Sequence, residues 1–238
     1  MANGVSLMLN IKLPINFNPP YKALSISDFW KRWHITLTTF FTRYVYIPLG
    51  GSRKGMNRTL LNTFFIFVLS GLWHGSNWTF ILCGVLHGMA MIIEKFMESK
   101  KFRINRVLSW LMTFSFLNLT WVFFRSPNLA TSLQIFRNIA RMNSQPLSNS
   151  VRDTFFFPEF ELMNSILRGN PVINRYFSLV LFTLGLFVVL YIVFRTKNVN
   201  EQIAGYRPTL FKAIFIVFIL IWSISSLSNV TSFLYTNF

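Results

Sequence analysis

Long stretches of this chain contain no charged side chain. The clearest covers residues 176–194, where 19 consecutive residues carry no charge. About 20 apolar residues in a helix are enough to cross the hydrocarbon core of a bilayer. Because lipid offers no hydrogen-bond partners, the backbone of such a run has to satisfy its own N–H and C=O groups, and a helix does so within the segment. The run therefore predicts a transmembrane helix.

Four further apolar runs accompany it, at residues 60–73, 78–93, 107–124 and 213–227. Before them, aromatic and leucine side chains recur every four residues at Phe29, Trp33, Leu37 and Phe41. Basic residues interrupt this stripe, as is typical of a helix lying in the membrane interface. The sequence predicts an all-α, multi-span transmembrane protein, with about five membrane-embedded helices and one interfacial amphipathic helix.

Composition excludes an ordinary soluble domain. Hydrophobic residues make up 53% of the 238 residues and charged residues 13%, about half the usual share in soluble proteins. A net charge of +16 often indicates a nucleic-acid partner. Here the basic residues cluster in the connectors 52–58, 95–106 and 195–212, where cytoplasmic flanks of membrane helices carry them. We therefore expect membrane lipids as partners, no nucleic acid, and a multi-pass location in the cell membrane.

The expected organisation is one membrane domain over residues 1–238. Its predicted parts are a loop and the interfacial helix (1–58), helices that carry the chemistry (59–124), a long loop (125–175) and the last two spans (176–238). Residues 1–24 are expected to be irregular, because Pro14, Pro19 and Pro20 interrupt them. The sequence Ser25-Ile26-Ser27-Asp28 has the spacing of a helix N-terminal capping box.

Three histidines, His34, His74 and His87, are the candidate functional residues. An ionisable residue at membrane depth is a functional-site hypothesis, although it can instead hydrogen-bond a neighbouring helix and order the packing. His74 lies in Gly71-x-x-x-Gly75 and His87 in Gly84-x-x-x-Gly88, and both spacings favour close helix packing. The spacings indicate no metal site and no Ser-His-Asp triad, so a general base is the chemistry left open.

Five segments together resemble the membrane-bound O-acyltransferase family, in its alginate O-acetylase-like subgroup. These are SISDFWKRWH (25–34), YVYIPLGGSRKG (44–55), GLWHG (71–75), LHG (86–88) and the tail FLYTNF (233–238). The resemblance covers the C-terminal half of a family member.

The resemblance implies a membrane-embedded enzyme with His74 as catalytic base, His34 as a second polar residue at the reaction centre and His87 in support. It implies an acyl donor arriving from the cytoplasm as a thioester, such as acetyl-CoA, with no bound cofactor or metal. The acceptor would be a hydroxyl of an exported or cell-surface polysaccharide, delivered with a partner protein on the extracytoplasmic side.

Two alternatives stay open at this point. Thr42-Arg43-Tyr44 replaces an Arg-Asp-Tyr pattern of the family, which favours an inactive remnant or a structural membrane subunit. A small transporter ranks last, since residues 176–194 and 213–227 carry no charge.

Four basic residues, Lys31, Arg32, Arg53 and Lys54, are candidate ligands for the CoA phosphates. Interfacial anchoring and membrane topology explain these basic residues without a ligand, and we favour that interpretation.

Overall fold

The computed structural model of the chain describes residues 2–102, 104–141 and 171–225. Helices and turns, and no strands, make up these residues, which confirms the all-α prediction for them. The first unit runs to Thr196 and contains α1 (Ala2–Met8), α2 (Ile26–Trp30), α3 (Ile35–Phe41), α4 (Met56–Trp73), α5 (Trp78–Ser99), α6 (Arg106–Arg125), α7 (Leu129–Ala140) and α8 (Pro171–Arg195). A second unit begins at Lys197 and contains α9 (Val199–Ala204) and α10 (Leu210–Ser225).

Each predicted apolar run coincides with a helix, namely α4, α5, α6, α8 and α10. Within the described residues, α5 and α6 are long and apolar enough to cross a membrane, while Thr183–Arg195 and Leu210–Ile224 are shorter apolar helices. The number of helices that cross the bilayer therefore stays a prediction. Residues 142–170 of the predicted long loop, and the tail segment 233–238, lie outside the described residues.

The prediction that residues 1–24 are irregular is wrong for residues 2–8. Residues 2–8 form α1, and a single 3-10 turn spans Pro20–Lys22. The physical reason is the position of the prolines. The first of them is Pro14, so nothing in residues 2–8 removes a backbone N–H or restricts φ.

The helix predicted to begin near Ser25 does begin there. Ser25 is the N-cap of α2, and its hydroxyl accepts a hydrogen bond from the Asp28 N–H at 3.1 Å. The Asp28 carboxylate in turn accepts the Leu24 N–H at 3.3 Å. The first bond is the N-cap half of the predicted capping box. The second differs from that motif, because the carboxylate accepts the N–H of Leu24, one residue before the N-cap, instead of that of Ser25.

The interfacial helix is not continuous, contrary to the prediction. It breaks into α2 and α3 at residues 31–34, and His34 takes a left-handed conformation with φ 48° and ψ 51°. The N-terminal segment causes the break by hydrogen-bonding on both sides of it. The Asn18 N–H donates to the Arg32 carbonyl at 2.9 Å, and the Ile35 N–H donates to the Asn16 carbonyl at 3.0 Å. Backbone groups used in these bonds are not available to a continuous helix.

Helices α4 and α5 pack through glycine. A Cβ on Gly84 would lie against the carbonyl oxygen of Phe67 and 3.3 Å from the Gly71 Cα. A Cβ on Gly88 would lie 2.9 Å from the Phe64 ring. The close packing predicted from small-residue spacing therefore involves Gly71, Gly84 and Gly88. The fourth residue, Gly75, instead lies in the turn after α4 with φ 144°.

An aromatic cluster anchors α2 to α6. Phe29 is 1% exposed and stacks on Trp33, with ring centroids 5.6 Å apart and planes inclined by 17°. Trp121 of α6 completes the cluster at 6.4 Å from Phe29 and 5.6 Å from Trp33. Leu117, 2% exposed, packs in the same core. Burial of large aromatic rings contributes strongly to folding stability. The segment that leads to His34 is therefore packed against α6.

Candidate functional site

His34 and His74 come together around one indole ring. The Trp73 ring lies 4.9 Å from the His74 ring and 6.5 Å from the His34 ring, roughly perpendicular to both. Two residues 40 positions apart in the sequence thus contact the same indole ring, and a shared role in one reaction centre stays a prediction.

His74 directly follows the last residue of α4, where it forms the C-cap. Phe124 of α6 lies edge-on to its ring at 5.0 Å, and Phe80 of α5 lies 6.3 Å away. Three helices therefore contribute to the walls of the site. The Nδ1 atom of His74 is buried and has no hydrogen-bond partner among the described residues. Buried polar atoms without a partner are rare in proteins and are characteristic of functional sites.

His34, which also contacts the Trp73 ring, has the same feature. Its Nδ1 atom is also buried without a partner among the residues described. Its left-handed backbone is unfavourable for a residue with a Cβ by about 1–2 kcal/mol, and such residues concentrate at functional sites. Burial lowers the pKa of His34, so the imidazole is neutral near pH 7.

His87 differs from the other two because both of its ring nitrogens are occupied. The Trp30 indole N–H donates to Nδ1 at 3.2 Å, and Nε2 lies 3.2 Å from the Thr120 hydroxyl. An indole N–H can only donate, so Nδ1 accepts and the proton of the neutral ring resides on Nε2. The Thr120 hydroxyl in turn donates a hydrogen bond to the Leu117 carbonyl at 3.0 Å. This network joins α2, α5 and α6, which favours a packing role for His87.

Asn16 supplies the N-terminal cap that α3 lacks from its own sequence. The His34 side chain makes no capping bond. The side-chain amide oxygen of Asn16, Oδ1, instead accepts hydrogen bonds from the Thr36 N–H at 3.1 Å and from the Thr36 hydroxyl at 2.8 Å.

We expect Asn16→Ala to lower the free energy of unfolding by about 1 kcal/mol, the usual cost of losing an N-cap. Thermal unfolding of the detergent-solubilised chain measures this. Asn57→Ala, exposed in the first turn of α4, is the matched control and should leave the midpoint unchanged. Equal midpoints for the two variants would contradict the capping role.

The four candidate CoA ligands lie at the protein surface, three of them exposed and Arg32 partly buried. Arg32 bonds to the Asp28 carboxylate at 2.7 Å, which neutralises part of its charge. Three others, Lys31, Arg53 and Lys54, are exposed. These positions agree with interfacial anchoring, and a role in binding CoA phosphates stays a prediction. Within the described part of the chain, no three His, Cys, Asp or Glu side chains come together as metal ligands would.

Sequence reasoning missed Glu94, Trp30 and Asn16. Glu94 accepts hydrogen bonds from the Ile26 N–H at 2.8 Å and the Ser27 N–H at 3.1 Å. Its signal in the sequence was a carboxylate directly after the apolar run 78–93, in a part of the chain where acids are rare. Asp28 is the only acid before it. Trp30 and Asn16 carried no comparable signal, because their partners lie 57 and 20 residues away in the chain.

Residues 1–99 match the family model of the membrane-bound O-acyltransferases. The chain is 42% identical to a peptidoglycan O-acetyltransferase of Helicobacter pylori over 179 residues, covering 72% of this chain and 34% of that protein. It is 39% identical to a probable alginate O-acetylase of Pseudomonas aeruginosa over 149 residues, covering 62% and 29%. It is 34% identical to a teichoic acid D-alanyltransferase of Bacillus subtilis over 130 residues, covering 48% and 33%.

The chain thus spans about one third of the length of these curated relatives. The matched residues contain α1 to α5 and all three histidines, whereas Phe124 of α6 lies beyond the part that the family model covers. This chain therefore matches the membrane-bound O-acyltransferase family over residues 1–99.

Proposed function

We propose that this chain carries the catalytic histidines of a membrane-bound O-acyltransferase. The reaction moves an acyl group, acetyl in our proposal, from a cytoplasmic thioester such as acetyl-CoA to a hydroxyl of an exported or cell-surface polysaccharide. The family match supports the acyl transfer, and the names of the relatives support a cell-envelope polymer as acceptor. The observation that carries the proposal is that His34 and His74 both contact the Trp73 ring, each with a buried Nδ1 atom that has no hydrogen-bond partner among the described residues.

In the proposed mechanism His74 is the general base. Its neutral imidazole takes the proton of the acceptor hydroxyl while the hydroxyl oxygen attacks the thioester carbonyl. The tetrahedral intermediate then collapses, the C–S bond breaks, and the imidazolium returns its proton to the leaving thiolate. The rings of Trp73, Phe80 and Phe124 pack around His74. In the proposed mechanism they reduce the access of water to the thioester, which suppresses hydrolysis.

His34 is the second polar group of the proposed site. A neutral imidazole carries one N–H donor and one acceptor nitrogen. We propose that His34 donates a hydrogen bond to the oxyanion that develops on the thioester carbonyl. Donors aimed at developing charge in a site sheltered from water make one of the largest contributions to catalysis.

His87 does not take the base role in this proposal. Its Nδ1 is occupied by the Trp30 N–H, and its Nε2 carries the proton that the Thr120 hydroxyl accepts. A base has to present a free lone pair within hydrogen-bond reach of the proton that it removes. The multi-pass membrane location, the lipid contacts and a partner protein on the extracytoplasmic side complete the proposal.

The test is acetyl transfer by membranes that contain the chain. Radiolabelled acetyl-CoA is supplied, and label is followed into alkali-labile esters on cell-surface polysaccharide, with His74→Ala as the control. We expect ester formation that disappears in the control. Ester formation that survives His74→Ala would refute the base assignment.

The same assay decides the alternative of an inactive remnant or structural subunit. The observation that favours this alternative is Arg43, an exposed base where the family pattern has an acid. Absence of ester formation by both the wild-type chain and its Arg43→Asp variant would support the alternative, whereas a gain of activity in Arg43→Asp would identify this residue as the inactivating change.

A further inference from the structure

The short helix α2 is fastened to α5 at its first turn. The Glu94 carboxylate of α5 accepts the backbone N–H groups of Ile26 and Ser27, at 2.8 Å and 3.1 Å, and the Ser27 hydroxyl also donates to it. The first N–H groups of a helix have no partner within the helix itself. A carboxylate there satisfies them, and its negative charge lies at the positive end of the helix dipole.

The last residue of α2 is fastened to the same helix. The Trp30 indole N–H donates to the His87 Nδ1 at 3.2 Å, and the two rings meet edge-on with centroids 5.2 Å apart. His87 and Glu94 are seven residues apart on α5, which places them on one face about 10 Å apart. The five residues of α2 span about 7.5 Å, so one α5 face reaches both of its ends.

The position of His34 depends on this attachment. It lies four residues beyond Trp30, at the break between α2 and α3. The Thr38 hydroxyl of α3 bonds back to the Trp30 carbonyl at 3.3 Å, so Trp30 connects α5 to both of the helices that flank His34. His74 is attached to α5 independently, because α4 packs directly on α5 through Gly71 and Gly84. α5 is therefore the common support of the two unpartnered imidazoles.

We propose that Glu94 and His87 are positioning residues that fix α2 on α5 and thereby hold His34 beside His74. Neither residue touches the reacting atoms. The role of this arrangement in catalysis rests on the proposed acyltransferase function, but the placement of His34 by Glu94 and His87 does not. The two parts are therefore tested by separate measurements.

The placement is tested by nitrogen NMR of the imidazole rings. The chain contains three histidines, so a sample labelled with ring nitrogen-15 histidine in detergent gives one pair of signals for each, assigned with single His→Gln variants. We expect His87 to show a neutral ring protonated on Nε2. Two variants then weaken one attachment each. Glu94→Gln keeps the size of the side chain but loses the charge and one of the two acceptor oxygens, and Trp30→Phe keeps an aromatic ring but loses the indole N–H.

In both variants we expect the His34 signals to move, while in Glu94→Gln the His87 signals stay in place. The matched control is Glu98→Gln, an exposed acid one turn further along α5, which should leave all three pairs unchanged. His34 signals at their wild-type positions in both Glu94→Gln and Trp30→Phe would overturn the proposal. So would a His87 ring protonated on Nδ1.

The catalytic consequence is tested by kinetics. A displacement of about 1 Å in a reacting group can cost up to about a hundredfold in rate. We expect Glu94→Gln to lower kcat by about tenfold to a hundredfold and to leave KM for acetyl-CoA unchanged. If the amount of folded protein falls as much as the total activity, kcat per folded molecule is unchanged. That result would show that Glu94 only stabilises the fold and would overturn its positioning role. If the wild-type chain transfers no acetyl group, the proposed function fails, and the NMR result still decides the placement.

Discussion

Replacement of Gly84 by alanine is expected to lower the free energy of unfolding by about 3 kcal/mol, the upper part of the range for overpacked cores. The added methyl group would lie against the Phe67 carbonyl oxygen and 3.3 Å from the Gly71 Cα. Both neighbours are backbone atoms of α4, so no side-chain rotation can relieve the contact. The two helices would have to separate along their whole line of contact.

Thermal unfolding in detergent, followed by circular dichroism, measures the effect. The matched control is Gly185→Ala in α8, where a Cβ would meet no described atom within 4 Å. Alanine is a better helix former than glycine by about 1 kcal/mol, so the control should be neutral or slightly stabilised. Equal midpoints for Gly84→Ala and Gly185→Ala would mean that α4 and α5 do not meet at Gly84.

Glutamine at His74 is expected to lower kcat for acetyl transfer by about a thousandfold, within the range for loss of a general acid–base group. Alanine at His34, which unlike glutamine leaves no N–H donor, is expected to lower kcat by about a hundredfold to a thousandfold, the usual cost of losing an oxyanion donor. We further expect the double variant His34→Ala, His74→Gln to be no slower than the slower single variant. Residues that act on one transition state are strongly non-additive, because once one is lost the other has little left to stabilise.

Initial rates at saturating acetyl-CoA, normalised to folded protein in the membrane, provide the comparison. The control is Asn57→Gln, an exposed polar residue at the start of α4, which should retain the wild-type rate. A double variant slower than either single variant by the product of the two effects would show that His34 and His74 act independently. That result would contradict a shared reaction centre.

The sequence predicted the features that depend on neighbours in the chain. The start of α2 at Ser25 and the glycine contacts of α4 and α5 follow from residue type and spacing, and both are present. The break at His34 could not be predicted in this way, because it depends on hydrogen bonds from residues 16–18 that interrupt a regular stripe.

The same limit applies to the histidines. Their pattern in the sequence singled out all three, but it could not separate His87 from His34 and His74. The distinction lies in partners contributed by other helices, Trp30 and Thr120, which occupy both nitrogens of His87. Residue spacing within one helix contains no information about such partners.

The attachment of α2 to Glu94 also has a consequence for biogenesis. A helix of five residues is far below the length that is stable by itself, and the carboxylate that caps it is 67 to 68 residues further along the chain. At about 5–20 residues per second, a ribosome needs between about 3 and 14 s to reach Glu94 after Ile26 has been made. His34 therefore reaches its place only after α5 has been synthesised. During that delay the aromatic segment 29–41 has no partner on α5 and is open to a chaperone or to the insertion machinery.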